Sequence, residues 1–198
     1  MGSGIILAGG LGSRIGCDKA LLPWGDSIIL GDIVSQMKKV CDDVILVRNS
    51  PLDIEIEGIR VVSDTYMQMG PLAGIHAGLS IARYDNAFVT ACDMPYLPQA
   101  AIEYLFIEAE GWDIVMPATG CDHEPLFACY SKKCLPVIEG LLQRGVRKII
   151  EILPLVRYKT IAREYFLQID GRIFSNINTW EQYQSALESL QKRQAVVE

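Results

Sequence analysis

The sequence predicts an α/β fold with a mainly parallel central sheet. Short apolar runs that end at turn residues alternate along the chain with segments of helical periodicity, and this alternation is typical of βα units. The chain has 198 residues, of which 50% are hydrophobic and 21% are charged, which suits one globular domain with a full core. No repeat, low-complexity tract or linker divides it. We therefore expect a single domain over residues 1–198, with its last few residues frayed.

The first half of the chain supplies the first predicted elements. An apolar run predicts a strand over residues 5–8, and a helix over 29–40 follows because its apolar residues recur every three or four positions. Continuous apolar runs predict strands over 44–47 and 59–62. A helix begins after Gly70, where small residues permit close packing.

The second half continues the alternation. An apolar run predicts a strand over residues 87–91, and a helix over 98–110 precedes a strand over 113–116. The last helix begins at Thr179, a good N-cap residue with Gln182 close behind. The remaining elements are extended segments over 126–130 and 158–162, a helix over 132–143 and the last helix, which ends near residue 192.

The composition of the chain limits which binding partners and which cellular compartment we expect. The formal net charge of −6 disfavours a nucleic-acid partner, because phosphate backbones recruit basic surfaces. No apolar run reaches the roughly 18 residues of a membrane span, and no basic region precedes the first apolar run. The six cysteines include no Cys-x-x-Cys pair, which is typical of reduced and mostly buried thiols. We expect a cytoplasmic protein without a membrane or nucleic-acid partner.

A glycine-rich loop follows the first strand and runs from Leu7 to Lys19. Its four glycines allow successive backbone N–H groups to surround phosphate oxygens. The loop lies at the carboxyl end of a strand, where open α/β sheets bind their ligands. Arg14 and Lys19 can add two positive charges. The loop therefore predicts a site for the phosphates of a nucleotide.

Two familiar phosphate-binding loops do not match this sequence. A dinucleotide fingerprint that begins at Gly10 requires glycine where the chain has Ile15. A Walker A loop requires Gly-Lys-Ser/Thr, whereas Lys19 stands between Asp18 and Ala20. The loop therefore belongs to another class of nucleotide-binding protein.

Polar residues follow three of the predicted strands. Asp93 comes after residues 87–91 and faces the first loop, where a carboxylate could hold Mg²⁺ against triphosphate oxygens. The alternative is an aspartate that caps the next helix. Asn49 and Asp64 end two other strands, but such residues are also common turn formers. Their positions alone leave both interpretations open.

The glycine-rich loop and the residues after it form a longer motif of three segments, Leu7-Ala8-Gly9-Gly10, Ser13-Arg14-Ile15-Gly16 and Asp18-Lys19-Ala20-Leu21-Leu22-Pro23. This motif closely resembles the signature of the molybdenum cofactor guanylyltransferases. The resemblance extends to about Asn178 and implies a Rossmann-like nucleotidyltransferase fold of the nucleotide-diphospho-sugar transferase type. Related cytidylyltransferases usually begin with Leu-Ala-Ala-Gly, so Gly9-Gly10 favours guanine.

The resemblance also implies roles for individual residues. Catalytic roles fall to Arg14, Lys19 and Asp93, with Asp93 also the metal ligand. The nucleotide site is expected to comprise Leu7, Ala8, Gly9, Gly10, Lys19, Asn49, Asp64, Gly70 and Asp93. Asn176 and Asn178 match the family's acceptor-side Asn-x-Asn-Thr, although Trp180 replaces the usual proline. Glu124 stands where the family commonly has histidine, so we interpret His123 as an exposed loop residue without a catalytic role.

The implied reaction is the transfer of GMP from GTP to the terminal phosphate of molybdopterin, with Mg²⁺ as cofactor and pyrophosphate as product. Other molybdenum cofactor biosynthesis proteins and molybdoenzymes are the implied protein partners. Three alternatives stay open. They are a cytidylyltransferase of the same fold, a non-catalytic nucleotide-binding module and, disfavoured by Ile15, a dinucleotide-dependent dehydrogenase.

Overall fold

The computed structural model describes residues 2–9, 16–52, 54 and 56–197, with side chains described as far as residue 191. Within these residues the strands are β1 (Ser3–Leu7), β2 (Pro23–Trp24), β3 (Ser27–Ile28), β4 (Asp43–Val47), β5 (Arg60–Val62), β6 (Asn86–Ala91), β7 (Ile114–Thr119), β8 (Asp122–His123), β9 (Phe127–Ser131) and β10 (Tyr158–Ala162). The α-helices are α1 (Ile29–Lys38), α2 (Pro71–Ile81), α3 (Gln99–Glu108), α4 (Leu135–Gln143), α5 (Arg163–Ile169) and α6 (Trp180–Val197). Short 3₁₀ helices cover Lys19–Leu21, Lys132–Cys134 and Ile149–Leu155.

One sheet organises the chain. Its strand order is β10-β7-β9-β6-β1-β4-β5, and β8 adds a short pair to β7. Strands β8 and β9 run antiparallel to their neighbours, whereas the other pairings are parallel. The predicted mainly parallel sheet is therefore confirmed. Strands β2 and β3 form a separate hairpin.

Helices cover both faces of the sheet. One hydrophobic core packs α1, α3, α5 and α6 against the first face, and a second core packs α2 and α4 against the other. Every residue of β1 and β4 is buried as a result. A strand that is buried on both faces has a continuous apolar sequence, which explains why the sequence predicted these strands.

The structure corrects several predicted boundaries. The predicted helix over 132–143 begins with the 3₁₀ turn Lys132–Cys134, and α4 starts only at Leu135. The last helix begins directly after its predicted N-cap, Thr179, but continues to Val197, beyond the expected end near residue 192. The sequence missed α5, β8 and the β2–β3 hairpin, because elements of seven and two residues are too short to show a periodic pattern.

The six cysteines are all free thiols. The expectation that most are buried is only half correct, because Cys41, Cys129 and Cys134 are buried, Cys92 is half-buried, and Cys17 and Cys121 are exposed. Among the residues that the structure describes, no helix is both long and apolar enough to cross a membrane.

Helix α2 packs closely against β1 because Gly78 has no side chain. A Cβ atom at Gly78 would lie 2.6 Å from Cγ2 of Ile5. We therefore expect Gly78→Ala to lower the free energy of unfolding by about 1–3 kcal/mol, the usual cost of overpacking. Urea unfolding measures this change.

Gly140 in α4 provides the matched control. A Cβ atom there would meet only Nη1 of Arg144, at 3.7 Å. Gly140→Ala should therefore raise the free energy of unfolding by up to about 1 kcal/mol, because alanine favours the helix. Equal effects of the two substitutions would contradict the close contact between α2 and β1.

Candidate active site

A cleft of about 740 Å³ opens at the carboxyl ends of the central strands. The loops that form it leave β1, β4, β5 and β6, and the antiparallel β9 begins at the same edge. The order in which strands join the sheet reverses here, because the chain adds β4 and β5 on one side of β1 and then returns to place β6 on its other side. Open α/β sheets bind ligands at such a switch point.

Most of the predicted nucleotide-binding residues line this cleft. Those that do so are Leu7, Ala8, Gly9, Lys19, Asn49, Asp64, Gly70 and Asp93. Two further predicted residues, Gly10 and Arg14, lie outside the described residues. Asn176 is exposed and is not part of the cleft lining. Asn178 is not part of it either, but its side chain accepts a hydrogen bond from Lys19, which lines the cleft. The fold thus brings together residues that are far apart in the sequence.

Lys19, Asp93 and Asn178 belong to one contact network. The Lys19 ammonium donates a hydrogen bond of 2.8 Å to Oδ1 of Asn178. The backbone N–H of Ile177 donates to the carbonyl oxygen of Asp93 at 2.8 Å. The segment that carries Asn178 is therefore fixed both to the end of β6 and to the glycine-rich loop.

A capping box holds this segment at the start of α6. The amide oxygen of Gln182 accepts hydrogen bonds from the backbone N–H groups of Asn178 at 2.7 Å and Thr179 at 3.0 Å. The Thr179 hydroxyl accepts from the backbone N–H of Gln182 at 3.3 Å. This reciprocal pattern satisfies N–H groups at the helix start and confirms Thr179 as the predicted N-cap.

Asp93 is half-buried at the end of β6. Burial raises the pKa of its carboxyl group, and the positive charge of Lys19 opposes this rise. A carboxylate in a partly desolvated site attracts cations more strongly than one in bulk water. The metal-binding role of Asp93 stays a prediction, with which this environment is compatible.

Asn49 and Asp64 join the ends of β4 and β5. The Asn49 side-chain amide donates to Oδ2 of Asp64 at 3.0 Å, and its oxygen accepts from the Asp64 backbone N–H at 2.8 Å. Both side chains line the cleft. The reciprocal pair stabilises the wall that the predicted nucleoside would contact.

Gly70 lies at the cleft immediately before α2. Its backbone has φ 72° and ψ −165°, a region that is accessible almost only to glycine. Pro71 occupies the first turn of the helix, where its fixed φ is favourable. The Gly-Pro pair therefore sets where α2 begins at the cleft.

The sequence did not identify Arg48, Asp18 and Gln68, which also line the cleft. Arg48 is 7% exposed and forms an ion pair with Asp18, whose other carboxylate oxygen accepts from the Ala20 backbone N–H at 3.1 Å. This pair anchors the segment that carries Lys19. An arginine directly after the apolar strand β4 was the available signal. Gln68 has a φ of 58°, and no sequence pattern marks it.

The segment before β9 differs from the prediction. His123 is half-buried in the short strand β8 instead of exposed in a loop, and its Nδ1 lies 2.9 Å from the Cys121 carbonyl oxygen. It is not part of the cleft lining, whereas Leu126 is. Glu124 is half-buried and pairs with Arg163, with 3.1 Å between Oε1 and Nη2.

Comparisons with known proteins agree with this fold. The family model of the MobA-like NTP transferase domain matches residues 4–161. A probable molybdenum cofactor guanylyltransferase from Pelotomaculum thermopropionicum is 37% identical over 89% of this chain and 87% of the relative. Molybdopterin-guanine dinucleotide biosynthesis protein A from Archaeoglobus fulgidus superposes with a TM-score of 0.84 and 26% identity, covering 96% of this chain and 99% of that structure.

A further solved structure, from Mycobacterium tuberculosis, is a complex with manganese. It shares the fold at a TM-score of 0.67 and 20% identity, covering 94% of this chain and 98% of that one. Nucleotidyltransferases generally use a divalent metal ion. The matched residues 4–161 contain the glycine-rich loop and Asp93. The chain is therefore a nucleotidyltransferase and belongs to the MobA-like NTP transferase family.

Proposed function

We propose that this chain transfers GMP from GTP to the terminal phosphate of molybdopterin and releases pyrophosphate. The observation that carries the proposal is the network of Lys19, Asp93 and Asn178, joined by the contacts of Asn178 and Ile177. It links the loop expected to bind the triphosphate with the segment expected to bind the acceptor. The relative named a probable molybdenum cofactor guanylyltransferase supports the same reaction.

The proposed chemistry is an in-line attack of the acceptor phosphate on the α-phosphorus of GTP. The attacking phosphate is already anionic, so the reaction requires no general base. Positioning and electrostatic stabilisation can then supply the catalysis. Lys19 would place its positive charge beside the reacting phosphates, and Arg14 would bind phosphate oxygens. Asn178 would hold the Lys19 ammonium in position through their 2.8 Å hydrogen bond.

We assign the metal-binding role to Asp93 and infer that the metal is Mg²⁺. In the part of the chain that the structure describes, no group of three or more His, Cys, Asp or Glu residues could hold a metal ion. A single half-buried carboxylate fits Mg²⁺, which commonly binds proteins through one or two carboxylates together with substrate phosphates and water. When bound, Mg²⁺ would neutralise negative charge on the triphosphate.

Asn49, Asp64 and Gly70 would form the nucleoside side of the site, opposite the acceptor segment. The choice of guanine rests on Gly9-Gly10 and on the named relative. A thermal-shift comparison of GTP and CTP tests this choice. Stabilisation by CTP but not by GTP would instead identify a cytidylyltransferase.

The proposed setting is the cytoplasm. The six free thiols fit a reducing compartment, where protein disulfides are rare. The dinucleotide product would pass to other molybdenum cofactor biosynthesis proteins or to molybdoenzymes.

Pyrophosphate release tests the proposed function. With Mg²⁺, the chain should release pyrophosphate only when both GTP and molybdopterin are present. Omission of either substrate is the control. Binding of GTP without release would instead identify a non-catalytic nucleotide-binding module.

A further inference from the structure

Glu124 and Arg163 form an ion pair at the same edge of the sheet as the cleft. Oε1 of Glu124 lies 3.1 Å from Nη2 of Arg163, and the two side chains are only 21% and 28% exposed. The Arg163 guanidinium also lies over the ring of Phe174, 4.6 Å from its centroid. Both partners are therefore fixed, because a flexible surface pair would have neither the burial nor the stacking.

The pair lies beside the acceptor half of the site. Glu124 is two residues from Leu126, which lines the cleft, and two residues span at most about 7 Å. Phe174, which stacks on Arg163, belongs to the segment that continues to Asn178. The side chain of Asn178 in turn accepts a hydrogen bond from Lys19. A path along one edge of the sheet thus connects the proposed reaction centre with Glu124.

The distance along this path suits an elongated acceptor. Strand β9 lies between β6 and β7. Asp93 follows the end of β6, and Glu124 is attached to β7, because its backbone N–H donates to the Pro117 carbonyl oxygen at 3.0 Å. Two strand spacings amount to about 10 Å. An acceptor whose phosphate lies near Asp93 would therefore extend its opposite end towards Glu124.

The hydrogen bonding of the pair is incomplete. The protein residues that the structure describes make no hydrogen bond to Oε2 of Glu124. Within the same residues, the buried Nε of Arg163 also has no partner. A carboxylate has about four acceptor positions, so Glu124 can keep its ion pair with Arg163 and still accept hydrogen bonds from a ligand.

We propose that Glu124, positioned by Arg163, binds the 2-amino-4-oxopyrimidine edge of the acceptor's pterin. This inference rests on the proposed function, because it deepens the acceptor side of that site. The edge presents two adjacent donors, the 2-amino group and the ring N3–H. A carboxylate accepts both in a paired arrangement, whereas a 2,4-dioxo edge would place an oxygen against it. Glu124 would therefore select the acceptor by its amino group.

Binding of two simple pteridines tests the subsite without any requirement for GMP transfer. Pterin carries the 2-amino group, and lumazine carries a 2-oxo group in its place. Titration of the whole chain, followed by ligand fluorescence, should show pterin bound at least about tenfold more tightly, because lumazine loses a hydrogen bond to the charged carboxylate. Equal binding of the two compounds by the unmodified chain would overturn the proposal.

The variant Glu124→Gln localises the effect. It should weaken pterin binding by about tenfold or more and remove the preference over lumazine. Asp122→Asn is the matched control, because Asp122 also faces Arg163, with 3.5 Å between Oδ2 and Nη1, but is 76% exposed. The control should bind pterin like the unmodified chain. A preference retained in Glu124→Gln would overturn the proposal.

Steady-state kinetics separates this proposal from the proposed function. Glu124→Gln should raise KM for molybdopterin and leave KM for GTP unchanged. A rise in KM for GTP alone would mean that Glu124 binds guanine, which shares the same edge, and would overturn the assignment. If the unmodified chain releases no pyrophosphate, the proposed function fails, while the pteridine titration still decides the subsite.

Discussion

Asp93→Asn should lower kcat for GMP transfer by at least about 10³-fold. A neutral amide is a much weaker Mg²⁺ ligand than a carboxylate, and the charge stabilisation that a metal supplies amounts to several kcal/mol, with each 1.36 kcal/mol giving a factor of ten. Pyrophosphate release under saturating GTP and molybdopterin measures the change.

The fold should not suffer from this substitution. Burial raises the pKa of Asp93 in the folded chain, so at neutral pH its ionised form opposes folding and loss of the charge removes that penalty. The thermal midpoint of Asp93→Asn should therefore be equal to or above that of the unmodified chain. Asp42→Asn, at an exposed aspartate before β4, is the control and should keep full activity. Near-normal turnover by Asp93→Asn with Mg²⁺ would show that Asp93 is not the metal ligand.

Lys19→Met should lower kcat by about 10²–10³-fold. Removal of one preorganised donor that stabilises transition-state charge typically costs this much. Methionine keeps most of the apolar stem but removes both the positive charge and the 2.8 Å hydrogen bond to Asn178. Single-turnover GMP transfer measures the chemical step directly.

Asn178→Ala distinguishes the charge of Lys19 from its position. This variant keeps the ammonium but removes its hydrogen-bond acceptor, so kcat should fall less than in Lys19→Met. Lys133→Met, at an exposed lysine next to β9, is the control for loss of a positive charge and should leave kcat unchanged. A Lys19→Met variant as active as this control would contradict the catalytic role of Lys19.

The sequence predicted the parts of the site that depend on backbone pattern. Strands β1, β4 and β6 are buried almost throughout, so their sequences are mainly apolar and their ends are recognisable. Asn49 and Asp93 were candidates because each lies two residues after such a strand, and the resemblance to the guanylyltransferases favoured a functional role over a structural one. The carboxyl ends of parallel strands meet at one edge, which placed both residues at the same cleft.

The sequence could not predict contacts between side chains that are distant along the chain. The ion pair of Arg48 with Asp18 spans 30 residues, and that of Glu124 with Arg163 depends on strand β8 and helix α5, which the sequence missed. The direction of β9 was also not predictable, because an apolar run is the same in parallel and antiparallel strands. Such features depend on the tertiary arrangement, and no local sequence pattern indicates them.

Analysis of the reaction products shows whether the chain transfers GMP to molybdopterin. The chain is incubated with Mg²⁺, molybdopterin and GTP labelled at the α-phosphate, and the products are separated and identified by mass spectrometry. We expect the label to enter a molybdopterin guanine dinucleotide in an amount equal to the pyrophosphate released, and Asp93→Asn to form almost none. Label that stays in GTP, or a dinucleotide formed equally well by Asp93→Asn, would contradict this expectation.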